Sequence, residues 1–251
     1  MTSTALVTGG ARRIGRAIVE DLAANGFSVA IHCNRSRADA DALAQAVRAA
    51  GADTRVFPKD LAERGAASEL FHEVTRSMGP VHLLVNSASV FEADEVGSLD
   101  WETWDRHFAL HVETPVALAQ ALAADLPTDG EALVVNIIDQ RVWRLTPRYF
   151  SYTLSKSALW TATRTLAMAL APRVRVNAIG PGPTLPNARQ SGADFQAQTD
   201  ALLLSRGPDL SEFGRTIRYL WEARSVTGQM IAIDGGQHLA WQTADVTGMV
   251  E

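Results

Sequence analysis

The feature that most constrains the fold of this chain is an alternation. Seven short runs rich in β-branched residues and leucine, at 4–7, 28–32, 54–57, 81–86, 132–138, 174–179 and 229–233, are separated by longer stretches with helical spacing. Most of these runs are continuously apolar rather than in-out alternating, which predicts strands covered on both faces. The stretches 14–25, 37–50, 62–78, 101–126 and 152–171 read as helices, several closed by stop signals at Asn25-Gly26, Gly51, Gly79-Pro80 and Pro172. Strands alternating with helices of this length specify right-handed βαβ units, and so an α/β fold with a doubly wound parallel sheet. No Pro-, Gly- or Ser-rich linker divides the 251 residues, which predicts a single domain over 1–251. The long irregular stretch 181–210 follows a strand's carboxyl end, where such folds place lids, and 184–209 is the expected substrate lid.

Composition removes several function classes. A net charge of -5 argues against non-specific nucleic-acid binding. The single cysteine, Cys33, rules out an internal disulfide framework and suits a reducing compartment. There is no apolar run of membrane-spanning length and no charged-then-apolar signal segment, so a cytoplasmic protein without membrane contact is expected. None of the six histidines pairs with cysteine or carboxylates at metal-ligand spacing, so no metal site is expected.

The first strand runs into "TGGARRIG", residues 8–15. Gly9 and Gly15 suit a tight turn and close helix–sheet packing, and the helix opening near Ile14 would present backbone N–H groups and its dipole to a phosphate. A glycine turn alone is weak evidence; its place at the first βα junction favours a dinucleotide over a merely structural turn. The second junction, "HCNRS" at 32–36, has no carboxylate until Asp39. An NAD-binding fold normally puts Asp or Glu there for the ribose 2′-OH. Arg35 and Ser36, beside Asn34, suit a 2′-phosphate instead, and Arg13 is placed to reach the same group. These arginines could simply be solvated, but three suitable groups at two junctions favour NADP(H).

"YTLSK", residues 152–156, opens the helix after the fifth strand. Four residues apart, Tyr152 and Lys156 share one helical face. A neighbouring cation is expected to lower the tyrosine's pKa and ready it for proton transfer. Tyr149 has Thr153 four residues on and lacks that partner.

With the glycine loop, "NSAS" at 86–89, Tyr152/Lys156, "PGP" at 181–183 and "DGG" at 234–236 in this order, the whole chain resembles the short-chain dehydrogenase/reductase family. The resemblance implies one Rossmann-like domain, a nicotinamide cofactor and a homo-oligomer, a tetramer in many members. It implies that Tyr152 moves the proton and that Lys156 holds the nicotinamide ribose. It further implies that Asp60 and Leu61 lie at the adenine, and that Asn86, Ser87, Ala88, Pro181, Gly182 and Thr184 contact the cofactor.

Departures from the family pattern narrow the choice. Asp139 stands thirteen residues before Tyr152, where most members carry serine; Arg13 replaces a glycine, and His111 aligns with an asparagine. Asp139, the loop arginine, "HCNRS" and "NSASVF" together resemble the pteridine reductase branch, including bacterial dihydromonapterin reductases. That resemblance implies substrate contacts from Ser89 and Tyr152 and a stacking ring from Phe91. Chemically, a serine hydroxyl suits the alkoxide formed from a ketone, whereas a carboxyl group in an enclosed site can relay a proton to a ring nitrogen. Asp139 could merely cap a loop, but its register with Tyr152 favours the catalytic role. Phe91 by itself could be core, and His111 reads as a satisfied interior histidine rather than a relay.

The expected function is therefore NADPH-dependent reduction of a C=N bond in a pterin or dihydrofolate-like small molecule, through Asp139, Tyr152 and Lys156. A carbonyl reductase of 3-oxoacyl or sugar type is the enzyme alternative. A non-catalytic NADP-sensing protein is the other, and it would have no need of the Tyr152/Lys156 pair.

Overall fold

The structure, a computed structural model, describes residues 2–186, 189–243 and 247. Seven parallel strands form one sheet in the order β3-β2-β1-β4-β5-β6-β7. They are β1 Thr4–Thr8, β2 Ser28–Cys33, β3 Thr54–Pro58, β4 Val81–Asn86, β5 Ala132–Ile137, β6 Val174–Pro181 and β7 Met230–Ile233. The chain winds outward from β1 to β3, then returns to start β4 on the other side of β1. That reversal opens a crevice beyond the carboxyl ends of β1 and β4. Register brings those ends level: Thr8 opposes Asn86, and Asn86 opposes Asn136.

Successive strand residues feed opposite faces. Val7, Val85 and Val135 pack under α1 (Arg13–Ala24), α2 (Arg37–Ala49) and α8 (Ser211–Glu222). Leu6, Leu84 and Val134 pack under α3 (Ala66–Met78), α5 (Thr114–Asp125) and α6 (Phe150–Leu170). All six are fully buried, each burial stabilising by about 1.5–3 kcal/mol against an exposed state. This two-sided covering is why the strands read as continuous apolar runs.

Four helical expectations need correction. The helix expected from 62 starts at Ala66, because Ala62 donates to Asp60 Oδ1 in a turn and Gly65 is left-handed (φ 86). The stretch 101–126 is not uniform: α4 (Trp101–Phe108) passes into a π-helical segment, Ala109–Glu113, before α5. Pro115 supplies the reason. It has no N–H to give the His111 carbonyl four residues back, and its ring crowds that carbonyl, so the chain widens by one residue. α6 starts at Phe150, two residues early, because the distant Asp94 carboxylate accepts the Ser151 N–H at 3.1 Å. The expected irregular lid contains α7, Gly192–Asp200, whose first turn is capped by Ser191 accepting from Asp194 N–H.

α8 was missed altogether by the helical spacing considered above. Its signal was present: Phe213, Ile217 and Leu220 recur at helical intervals and are fully buried. Gly214 interrupts the pattern because α1 passes close by, and a Cβ there would collide with the Asp21 side chain. Among the described residues, no helix is long and apolar enough to cross a membrane, and no group of His, Cys, Asp or Glu could hold a metal ion.

Candidate active site

A cleft of about 640 Å³ opens at the carboxyl ends of the strands. At one end stands the glycine loop. Gly9 has φ 64, and a Cβ on it would lie 2.8 Å from Ala88 Cα; only glycine lets the two loops meet. A Cβ on Gly15 would run into the Gly9 carbonyl, so this turn must stay bare where Gly9, Ile14 and Gly15 line the cleft.

Two residues that the sequence reading passed over hold this loop. His32 accepts the Gly9 N–H at Nδ1 (3.1 Å) and donates from Nε2 to the Lys59 carbonyl (2.9 Å). Burial keeps it neutral, lowering its pKa to about 4. Thr8 Oγ1 accepts from the Ser87 and Ala88 N–H groups at 3.0 and 3.1 Å, tying β1 to the loop after β4. A strand-end Thr and a strand His carry no local signal of such a clasp.

The arginines divide their tasks. Arg13 has a left-handed backbone (φ 53) and donates to the lid carbonyls of Pro186 and Leu185 at 3.0 and 3.1 Å. It therefore joins the glycine loop to the lid in this structure rather than reaching toward the second junction. Arg12 pairs with Asp39 at 2.7 Å, offsetting a carboxylate near that junction. Asn34 and Arg35 stand exposed there, with Ser36 half-buried at the start of α2. Asp60 caps its own turn and Leu61 is buried, its carbonyl accepting from Thr114. The Asn86 side chain does not line the cleft: it donates across the sheet to Asn136 Oδ1 at 2.8 Å. Ser87, Pro181, Gly182 and Thr184 do line it. A Cβ on Gly182 would overlap Asp234, so β6 and the loop after β7 close against each other there.

At the other end, the three candidate catalytic groups converge. Tyr152 donates to Asp139 Oδ2 at 3.0 Å, and Asp139 Oδ1 accepts the Arg141 N–H at 2.9 Å. Asp139 thus both caps the short turn after β5 and faces the tyrosine. Lys156 Nζ donates to the Ile137 carbonyl at 2.9 Å and lies 5.7 Å from the centre of the Tyr152 ring. Tyr152 and Lys156 are buried and Asp139 half-buried, and burial governs their ionisation. Asp139 is pushed up by burial, with the Arg141 charge opposing. Lys156 is lowered by burial to about 8.

The expected lowering of the tyrosine pKa does not hold. Burial first and the Asp139 carboxylate second push Tyr152 well above its ordinary value of 10.0. Tyr152 is consequently a held phenol, suited to donate a proton rather than to rest as phenolate.

Phe91 lies in the cleft wall. Its ring stacks on Tyr149 (4.2 Å, 11°) and meets the edge of Tyr152 at 4.8 Å. The guanidinium of Arg141 lies 5.1 Å from the Phe91 ring centre. Tyr149, discounted in the sequence for want of a lysine partner, is part of this aromatic wall. Ser89 also lines the cleft, its hydroxyl 3.0 Å from His111 Nε2.

The sequence matches the family model described as enoyl-(acyl carrier protein) reductase over residues 9–238. Among solved structures, it superimposes on FolM alternative dihydrofolate reductase 1 from Brucella suis in complex with NADP, with a TM-score of 0.95 and 60% identity over 98% of both chains. Among curated relatives, it is 30% identical to dihydromonapterin reductase of Klebsiella pneumoniae, over 93% of this chain and 96% of that one. It is 32% identical to bovine (Bos taurus) L-xylulose reductase, over 92% of this chain and 95% of that one.

Proposed function

This chain belongs to the short-chain dehydrogenase/reductase family, and from that membership and the cleft's geometry we propose that it is an NADPH-dependent reductase of a pterin or dihydrofolate C=N bond. The observation that carries the reading is the Tyr152–Asp139 hydrogen bond of 3.0 Å. A carboxyl group there, raised by burial, can hold and pass a proton where a ring nitrogen becomes basic. The similarity to a dihydrofolate reductase solved with NADP and to a dihydromonapterin reductase supports the same substrate class.

The residues fit a phosphorylated dinucleotide. The bare backbone around Gly9 and Gly15, with the start of α1, makes a cradle that a Cβ would fill. Arg35 and Ser36, beside Asn34, would take the 2′-phosphate, while Arg13 would border the cofactor where it ties the glycine loop to the lid; Ser87, Ala88, Pro181, Gly182 and Thr184 would border the nicotinamide half. Asp60 and Leu61 would sit near the adenine, Ile14 at the pyrophosphate, and Asn86 would support the site from the sheet. When bound, the dinucleotide supplies a hydride to the ring carbon of the C=N bond.

The chain's own residues handle the rest. Phe91 gives a flat heteroaromatic ring a face, Ser89 and Tyr152 orient its edge, and Tyr152 with Asp139 delivers one proton to the adjacent nitrogen. Lys156 steadies the ribose and the charge beside the tyrosine. One hydride and one proton complete the reduction of C=N to CH–NH. The reading includes a cytoplasmic homotetramer, an assembly that sedimentation would measure.

The test is NADPH oxidation by purified protein over a panel of dihydropterins, dihydrofolate and ketones. Turnover of the first two is expected. Phe91→Ala should weaken pterin binding by about 1–3 kcal/mol. A protein that reduces ketones and no pterin or folate would be a carbonyl reductase instead.

A further inference from the structure

His107 and His111 sit one helical turn apart, in α4 and in the π segment, both buried. Their hydrogen bonds repeat. His111 Nε2 accepts the Val90 N–H at 3.2 Å and faces Ser89 Oγ at 3.0 Å, while its Nδ1 lies 2.9 Å from Ser155 Oγ. His107 Nε2 accepts the Glu92 N–H at 3.4 Å, and its Nδ1 lies 2.7 Å from Ser151 Oγ. Residues four apart on one helix thus meet residues two apart on an extended loop and four apart on α6. The rings lie nearly parallel, 5.4 Å apart, and each presents to Tyr152 edge-to-face.

We propose that His107 and His111 are a pair of positioning residues that rivet the Ser89–Glu92 loop to the helix carrying Tyr152, and so set the substrate wall against the proton donor. The proposal rests on the reading that this loop, through Ser89 and Phe91, binds substrate. Tyr152 lies between the two serines that the pair engages. Ser155 passes its own hydroxyl hydrogen to the Tyr152 carbonyl (2.8 Å), leaving its oxygen to accept from His111.

Backbone donors fix the tautomer. A peptide N–H can only donate, so Nε2 of each ring must be bare and Nδ1 must carry the hydrogen. Burial, with Lys156 adding to it, holds His111 far below the usual histidine range. His107 is lowered by burial too, while Asp94 and Glu92 oppose and Lys156 and Arg106 assist. A protonated ring would turn its Nε2 hydrogen toward the loop N–H and break the rivet. The pair therefore works only in the neutral form.

Two arms test this. In the full chain labelled with ¹⁵N-histidine, both rings are expected as the Nδ1–H tautomer at pH 7. The Val90 amide should exchange about 5- to 10-fold faster in His111→Phe, and the Glu92 amide likewise in His107→Phe. In turnover, His111→Phe should raise KM for a dihydropterin by about 10-fold and leave the NADPH Kd nearly unchanged. His111→Gln, which keeps an acceptor for the loop, should recover part of the loss. Ser89→Ala should cost less in the His111→Phe background than in the parent, since the histidine acts partly through that hydroxyl. An Nε2–H tautomer or an imidazolium at His111, unaltered Val90 exchange, or fully additive effects would each overturn the proposal. A parent enzyme that turns over no pterin defeats the substrate reading, and the tautomer and exchange arm then decides the histidine pair alone.

Discussion

Tyr152 and Asp139 share one hydrogen bond of 3.0 Å, so the phenol and the carboxyl group in the usual serine position form a single coupled unit. Neither group titrates alone. The carboxylate pushes the phenol up, and burial pushes the carboxyl up. Both shifts favour the protonated forms, so the pair holds its protons rather than releasing them.

Removing either partner should separate binding from chemistry. Tyr152→Phe is expected to lower the rate by at least ~100-fold while the NADPH Kd stays nearly constant. Asp139→Ser should cut pterin reduction sharply and spare or increase any ketone activity. Stopped-flow NADPH oxidation and cofactor titration measure both. A near-normal rate in Tyr152→Phe would assign the proton to another group.

Lys156 should stabilise function at the expense of the fold. Unfolded, it keeps its proton up to about 10.5; folded, only to about 8. Unfolding takes up a proton between those values, so stability rises with pH across that window. At pH 7 the buried charge is a liability throughout. Lys156→Met is expected to abolish turnover yet raise the unfolding free energy of the cofactor-free protein by about 1–3 kcal/mol. Urea denaturation at pH 7 checks it, and a less stable variant would contradict it.

His32 gives an acid limit of the same sense at lower pH. Its folded pKa near 4 lies below its ordinary 6.5. Between those values the unfolded chain binds a proton that the folded chain refuses, so stability falls as pH drops from 6.5 toward 4. This residue alone should account for roughly 3 kcal/mol, and His107 and His111 push the same way. His32→Gln should flatten the decline in a series of denaturation curves. An unchanged slope would mean that the clasp on Gly9 is not its source.

Cofactor choice should follow the second junction. NADPH is expected to bind more tightly than NADH by on the order of 2 kcal/mol. Arg35→Ala should erase much of that difference while altering NADH little. Equal affinities in the parent protein would remove the 2′-phosphate site.

The strands were legible because burial on both faces leaves an unbroken apolar signature, and Tyr152, Lys156 and Asp139 were legible because their spacing survives in the line of the chain. What escaped was made by distant partners. No local pattern announces that Asp94 starts α6, that His32 grips Gly9, or that Arg13 turns to the carbonyls of Leu185 and Pro186. The tyrosine's direction of shift was misjudged for a related reason. A lysine at four residues is visible in sequence, but the depth of burial that outweighs it is not.

The π segment gives the helix between α4 and α5 one surplus residue, and so it works as a phase adjuster. Each residue turns an α-helix by about 100°. Upstream, the count aims His107 at the loop; downstream, Leu118 and Leu122 must still face the sheet, and both are fully enclosed there. Those two requirements are out of step by one residue. Deleting a single position from 109–113 would restore a regular helix and rotate one face away from its partner: either the histidines would leave the loop amides of Val90 and Glu92 or the leucines would leave the core. Length at this point is therefore held fixed by geometry, as firmly as the identity of the residues on either side of it.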